Sequence, residues 1–293
     1  MQARDFSLLL GRETKIMGIL NLSPDSFSHD GFLAKDQKDL GNILARAQRL
    51  IKEGSDILDI GGESTRPGSR RITIQEEISR VIPVLRHLVK KVKVPVSIDT
   101  YKPAVARHAL DAGASIVNNI KGTQLDPRLL KMVQRYDAVI ILMHMRGRPE
   151  TMQKDIHFQD VVGEVISELQ KSVENCLEIG IRSDRIIVDP GIGFGKTISH
   201  NLELINRLKE FQVLGCPILI GPSRKAFIGQ VLQKDVRKRL MGTAAAVCAS
   251  VLNGAHIIRV HDAGPTRDCT LMTDALLNHR AWQTVESFSR SSV

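Results

Sequence analysis

Eight polar residues stand where short apolar runs end: Asn21, Asp59, Asp99, Asn118, Asp189, Ser223, Arg259 and His261. The three carboxylates directly follow Leu58, Ile98 and Val188, so each closes a run that belongs in a protein interior. Asp59 shares strand parity with Ile57, and a face that buries one buries the other. A bare charge there costs several kcal/mol, so it requires a partner or a ligand. Asp99, Asp189 and Asn118 together suit a flat heterocycle offering N–H donors, because a carboxylate can accept an amino group and a ring N–H at once. Arg259 and His261 lie two apart and share a face; with the strand-to-helix junction near Ser223 they suit an anion such as phosphate. No Asp, Glu and His stand at metal-ligand intervals, so any Mg²⁺ would rest on one or two protein oxygens plus ligand phosphates. Taken singly, Asp99 could cap a helix and His261 could be a satisfied buried imidazole. Eight such groups at one end of their elements argue for a pocket.

The elements that must position them alternate. Strand patterns cover Lys15–Leu20 (ending at Asn21), Asp56–Ile60, Val94–Asp99, Ser115–Ile120, Ala138–His144, Arg185–Asp189, Pro217–Ile220 and His256–Val260. Helical spacing falls between them, at Leu40–Ile51, Ile74–Lys91 (bent or split by Pro83), Thr100–Asp111 with Thr100 as the cap, Leu129–Arg135, Phe158–Leu177, Leu202–Lys209 and Asp235–Leu252. Alternation of this kind implies a parallel sheet. Eight units favour an α/β fold closed as a single-domain (β/α)8 TIM barrel, whose active face lies at the carboxyl ends of the strands. We expect a lead at 1–13, the barrel at 14–282 and a Ser-rich tail at 283–293.

Composition narrows the class. Of 293 residues, 42% are hydrophobic and 25% charged, as in an ordinary globular chain. The formal net charge of +9 favours anionic ligands, but the basic residues are scattered and aromatics are only 4%, so no nucleic-acid platform is expected. Cys176, Cys216, Cys248 and Cys269 lack metal-site spacing and read as reduced thiols. The first residues carry Arg4, Asp5, Arg12 and Glu13, unlike a secretory signal, and no apolar run approaches the ~20 residues of a membrane span. No membrane contact and a cytoplasmic location are expected.

Two glycine-rich matches fail. In Gly191-x-Gly193-x-Gly195-Lys196 the third glycine of a dinucleotide fingerprint would fall on Lys196, and the first glycine of a P-loop would fall on Pro190. The glycines fit a tight turn or close backbone approach to a ligand.

From Ile16 to His261 the chain closely resembles the dihydropteroate synthase family. The motifs that carry this are Met17-Gly18-Ile19-Leu20-Asn21-Leu22-Ser23-Pro24-Asp25-Ser26-Phe27, Asp59-Ile60-Gly61-Gly62-Glu63-Ser64-Thr65-Arg66-Pro67-Gly68 and Ser97-Ile98-Asp99-Thr100, followed in order by Asp189-Pro190-Gly191-Ile192-Gly193-Phe194-Gly195-Lys196, Ser223-Arg224-Lys225 and Arg259-Val260-His261-Asp262. The resemblance implies a barrel that condenses 6-hydroxymethyl-7,8-dihydropterin diphosphate with 4-aminobenzoate and releases diphosphate, as a homodimer and a sulfonamide target. It implies that Asp99, Asn118, Asp189 and Lys225 hold the pterin, that Asn21 contacts Mg²⁺, and that Arg259 and His261, beside Ser223, take the diphosphate. Loops around Ser23–Phe27 and Thr65–Pro67 would close over the site, with Arg66 acting in catalysis alongside Asp99, Asp189 and Lys225. Phe194 and Lys225 would flank the aminobenzoate.

Two positions depart from the family pattern. Asn119 stands where an aspartate is usual, with parity opposite to Asn118, so binding is expected to survive with altered support behind it. Ala226 stands where serine is frequent, which removes one possible donor to the aminobenzoate carboxylate. A pterin-dependent methyltransferase would not be expected to keep both Ser64-Thr65-Arg66-Pro67-Gly68 and Ser223-Arg224-Lys225. A Schiff-base aldolase on Lys225 is weaker, since that lysine follows a Pro-Ser loop rather than an apolar strand. A non-catalytic paralogue would be favoured by loss of Asn21, Arg66 or Lys225, and all three are present.

Overall fold

The computed structural model describes residues 1–4, 6–22, 37–64, 71–147, 151–153 and 156–279. Runs of isoleucine, valine and leucine too short for helices form eight barrel strands: β1 (Lys15–Asn21), β2 (Ile57–Gly61), β3 (Val96–Asp99), β4 (Ile116–Asn119), β5 (Val139–Met143), β6 (Ile186–Asp189), β7 (Leu219–Ile220) and β8 (Ile257–Val260). All neighbours pair in parallel, in the order β6-β5-β4-β3-β2-β1-β8-β7. A parallel bridge between Val188 and Ile218 closes the ring. The expected TIM barrel is what forms.

Alternate strand residues point in and out. The outward set packs against the surrounding helices in one large core that includes Ile16, Leu58, Ile98, Val117, Ile140, Val188, Ile220 and Ile258. The inward set begins with an apolar floor of Met17, Ile57, Ile116, Val139, Ile141, Ile187, Leu219 and Ile257. Met1, Phe6, Leu8 and Leu10 pack beneath that floor, so the leading residues close the bottom of the barrel. Before β1, Gln2–Ala3 and Phe6–Ser7 pair antiparallel.

The helices are α1 (Gln37–Lys52), α2 (Ile74–Leu88), α3 (Pro103–Asp111), α4 (Pro127–Arg135), α5 (Val161–Glu178), α6 (Ile198–Asn206), α7 (Ala226–Leu232), α8 (Leu240–Leu252) and α9 (Ala263–Leu277). Pro83 does not split α2, which still buries Val81, Ile82, Val84, Leu85 and Leu88 on one face. Thr100 is not the cap of α3: its Oγ1 accepts from the Lys102 amide, Lys102 takes the cap position, and Pro103 starts the helix where its missing N–H costs nothing. The helix expected over Asp235–Leu252 is interrupted at Arg239, which follows a 3₁₀ turn at Val236–Lys238. The break lets the Arg239 guanidinium donate to the carbonyls of Arg224 and Lys234. The barrel's expected end at 282 and the tail 283–293 lie outside the described residues.

Candidate active site

Two residues above the floor, the inward positions turn polar. Asp59 on β2 is fully buried, and its Oδ2 accepts from Arg259 Nε at 2.7 Å and from Asn118 Nδ2 at 3.1 Å. Arg259 Nη2 donates to Asp99 Oδ2 at 2.8 Å. One guanidinium therefore ties β8 to β2 and β3, and the opposite charges offset the desolvation of each. Burial still pushes the Asp99 carboxyl up to about 7; Arg259 pulls it down and Asp59 pushes it further up. The diphosphate-binding expectation for Arg259 thus meets a side chain that also holds the carboxylate layer together.

Across the barrel, Asp189 ends β6 and is 5% exposed. Its Oδ1 accepts the Gly191 amide at 2.7 Å. Burial raises its carboxyl above the usual range, opposed by that amide and by Lys225 and Arg259. The chain then makes a tight turn in which Gly191 and Gly195 adopt φ of +70° and +64°. A Cβ at Gly191 would meet the His144 carbonyl at 1.8 Å, and one at Gly195 the Arg146 carbonyl at 2.4 Å. Only glycine fits either place, which is what those glycines are for. Against this turn lies Lys225, whose Nζ donates to the Ile192 carbonyl at 2.5 Å and stands 4.1 Å above the Phe194 ring. Burial lowers the Lys225 ammonium to about 7, with Asp189 opposing.

At the third side, Ser223 Oγ lies 3.0 Å from His261 Nδ1 and accepts the His261 amide at 3.2 Å. Arg224 braces that junction with a two-pronged bond to Asp262 at 2.9 and 2.6 Å. Asn21 ends β1 beside Gly61 of β2. The space over Gly61 is bordered by Asp99 Oδ2, 3.7 Å from a Cβ built there, and by Asn21 Oδ1, 3.9 Å from it. An amide oxygen and a carboxylate oxygen at neighbouring strand ends suit Mg²⁺, which takes few protein ligands and completes its shell from phosphate and water. Among the described residues no three His, Cys, Asp or Glu side chains gather as a metal cage.

Asn21, Asp99, Asn118, Asp189, Phe194, Ser223, Lys225, Arg259 and His261 thus share the carboxyl-end face of one barrel, as the pattern of strand ends requires. Asn119, with the opposite parity, turns away: its Oδ1 accepts the Lys121 amide at 3.0 Å and braces the turn after β4. Thr65, Arg66 and Pro67, and the Ser23–Phe27 loop, lie outside the described residues.

Two buried ionic groups escaped the sequence reading. Lys102 Nζ bonds Glu63, Glu77 (2.7 Å) and the Ile72 carbonyl (2.8 Å), so it ties the helix α2 to the residues flanking the 65–70 segment. The signal was Glu77, a carboxylate on the same helical face as Val81 and Leu85. Lys196 is buried with its Nζ 2.9 Å from His144 Nδ1, and Glu168 faces the other ring nitrogen. His144 closes the β5 run much as Asp189 closes β6, and that position was the clue.

With this geometry in view, the family described as pterin binding enzyme matches residues 17–261, and the chain belongs to it. The dihydropteroate synthase of Synechocystis is 42% identical over 91% of each chain. The structure of the Yersinia pestis dihydropteroate synthase, solved with a sulfonamide drug, has a TM-score of 0.88 at 37% identity and covers 94% of this chain and 98% of that one. A Clostridium difficile dihydropteroate synthase, solved in the presence of pteroic acid, has a TM-score of 0.84 at 38% identity, covering 92% and 99%. Within the pterin-binding enzymes the chain therefore falls among the dihydropteroate synthases, transferases of folate biosynthesis.

Proposed function

We propose that the mouth of this barrel condenses 6-hydroxymethyl-7,8-dihydropterin diphosphate with 4-aminobenzoate. The observation that carries the reading is the inward layer of Asp59, Asp99, Asn118, Asp189 and Arg259, with Lys225 beside it, a set of charged and polar groups at the depth where other inward positions are apolar. Asp189 accepts the pterin's amino group and ring N–H, while Asp99, Asn118 and Lys225 hold its other edge. The C–O bond to the methylene breaks with its electron pair leaving on diphosphate. The buried carboxylates face the positive charge that develops on the pterin, in a site where such interactions are stronger than in water. The arylamine nitrogen then bonds the methylene and releases a proton.

Arg259 and His261 receive the departing diphosphate, and the Arg259 edge turned from Asp59 and Asp99 carries the donors for it. Asn21 would hold Mg²⁺, which when bound offsets diphosphate charge. Phe194 and Lys225 flank the arylamine. Sulfonamides of the kind bound by the Yersinia pestis enzyme would compete there. By the same resemblance the chain would work in the cytoplasm as a homodimer. Separately, no helix among the described residues is long and apolar enough to cross a membrane.

Incubating the purified protein with both substrates and Mg²⁺ tests this. Dihydropteroate and diphosphate should appear in equal amounts, and omitting 4-aminobenzoate should stop both. Diphosphate release at an undiminished rate without the arylamine would make the chain a hydrolase and overturn the reading.

A further inference from the structure

Lys196 has no part in the chemistry set out above, yet it is a lysine only 3% exposed, placed one turn behind the site. Its ammonium lies 2.9 Å from His144 Nδ1 and donates to the Phe194 carbonyl at 3.0 Å. Burial draws the Lys196 ammonium down to about 7, with Asp189 opposing; where that ammonium donates to Nδ1, the ring proton sits on Nε2, 3.1 Å from Glu168 Oε2. Burial holds the imidazole down at about 4, consistent with a neutral ring, and Glu168, drawn down to about 2 by His144 and Arg146, stays ionised. Arg146 anchors the outer end through Glu164 and Glu168. A line of contacts therefore runs from α5 through His144 and Lys196 to the turn after β6.

That turn carries the parts that meet substrate. The His144 amide donates to the Asp189 carbonyl at 2.9 Å, Gly191 and Gly195 lie against the His144 and Arg146 carbonyls, and the Ile192 carbonyl and Phe194 ring seat Lys225. Burying an amine is unfavourable unless its hydrogen bonds are used, and a leucine or methionine would fill much the same volume without that cost. We propose that Lys196 is a positioning residue for the condensation: pinned between His144 and the Phe194 carbonyl, it locks the Gly191–Gly195 turn and so sets Phe194 and Lys225 against the arylamine. The inference rests on the synthase reading of the site, and it adds a residue that touches neither substrate.

Lys196→Met in the full chain tests it, because methionine keeps most of the length and the apolar stem and removes the amine. A misplacement near 1 Å can cost on the order of a hundredfold in rate. With the wild type active, we expect kcat to fall roughly ten- to hundredfold and KM for 4-aminobenzoate to rise, while calorimetric affinity for a pterin analogue stays within about threefold. His144→Asn, whose amide oxygen stands where Nδ1 was, should keep most of the activity, and His144→Leu should behave like Lys196→Met. Wild-type kcat and KM in a folded Lys196→Met chain would overturn the inference. So would a loss that follows melting temperature alone and vanishes when assayed well below it. Should Lys196→Met fail to fold, the two His144 variants decide: equal activities in Asn and Leu contradict the locking role. Failure of the wild type to make dihydropteroate is a different result, and it would sink the synthase reading instead.

Discussion

The barrel's two inward layers use the same strands and opposite chemistry. Ile57, Ile116, Ile187 and Ile257 form the floor, and two residues further along those strands stand Asp59, Asn118, Asp189 and Arg259. Apart from Arg259, whose side chain is 21% exposed, both layers are shielded from water, so burial alone does not distinguish them. What differs is how each is stabilised: the floor by removal of apolar surface, and the upper layer by mutual pairing of charges whose desolvation is otherwise unfavourable. The floor can therefore be changed at the expense of stability alone, whereas the upper layer links stability, protonation and ligand binding.

The largest expected effect comes from breaking that pairing. Arg259→Ala strips Asp59 and Asp99 of their shared cation, and loss of one partner of a buried pair costs roughly 3–5 kcal/mol. The pH dependence carries a sign. Burial pushes the Asp99 carboxyl from the ordinary 3.8 up to about 7, so the folded state holds the extra proton and stability falls as pH rises from about 4 to 7. Without Arg259 the carboxyl should rise further, so the decline should extend above pH 7. Chemical denaturation at a series of pH values measures this, and an unchanged profile would mean that Arg259 does not compensate those carboxylates.

The matching change in the floor is Ile187→Ala. It should cost about 2–5 kcal/mol through lost burial and an unfilled cavity, with little dependence on pH and with pterin affinity retained in the folded fraction. A large loss of affinity there would blur the distinction between the layers. The smallest effect concerns Ala226, which is exposed at the first position of α7. If the arylamine carboxylate lies near that helix start, Ala226→Ser adds one hydrogen bond to a charged acceptor near solvent. That corresponds to ~1 kcal/mol, or roughly a fivefold lower KM for 4-aminobenzoate with no change for the pterin diphosphate. Steady-state kinetics with each substrate varied in turn decide it, and a raised KM would place the carboxylate elsewhere.

The polar layer was legible because strand parity is a period of two: once Ile57 faces inward, Asp59 must as well. The same rule explains Asn119, whose opposite parity sends it to the Lys121 amide rather than into the pocket. Spacing could not say that Asp59, Asp99, Asn118 and Arg259 bond one another, because their pairing runs between strands up to 200 positions apart. Nor could it find Lys196. A buried lysine looks like a surface lysine until the imidazole that accepts from it is brought alongside by the fold. Thr100 reads as a cap because a threonine before a helical pattern satisfies the local rule, while Pro103 three positions later sets the actual start. Local signals locate elements, and the contacts between them require closure of the ring.

The synthase reading makes the upper layer, not the floor, the pterin pocket. Calorimetry of a pterin analogue against Asp189→Asn tests it most directly, since the change removes one negative charge and keeps the shape. Affinity should fall roughly ten- to hundredfold, as for loss of a charged acceptor of hydrogen bonds. The melting temperature should hold or rise, because burial already disfavours that charge. Affinity within twofold of the wild type would contradict the account and remove Asp189 from the pocket.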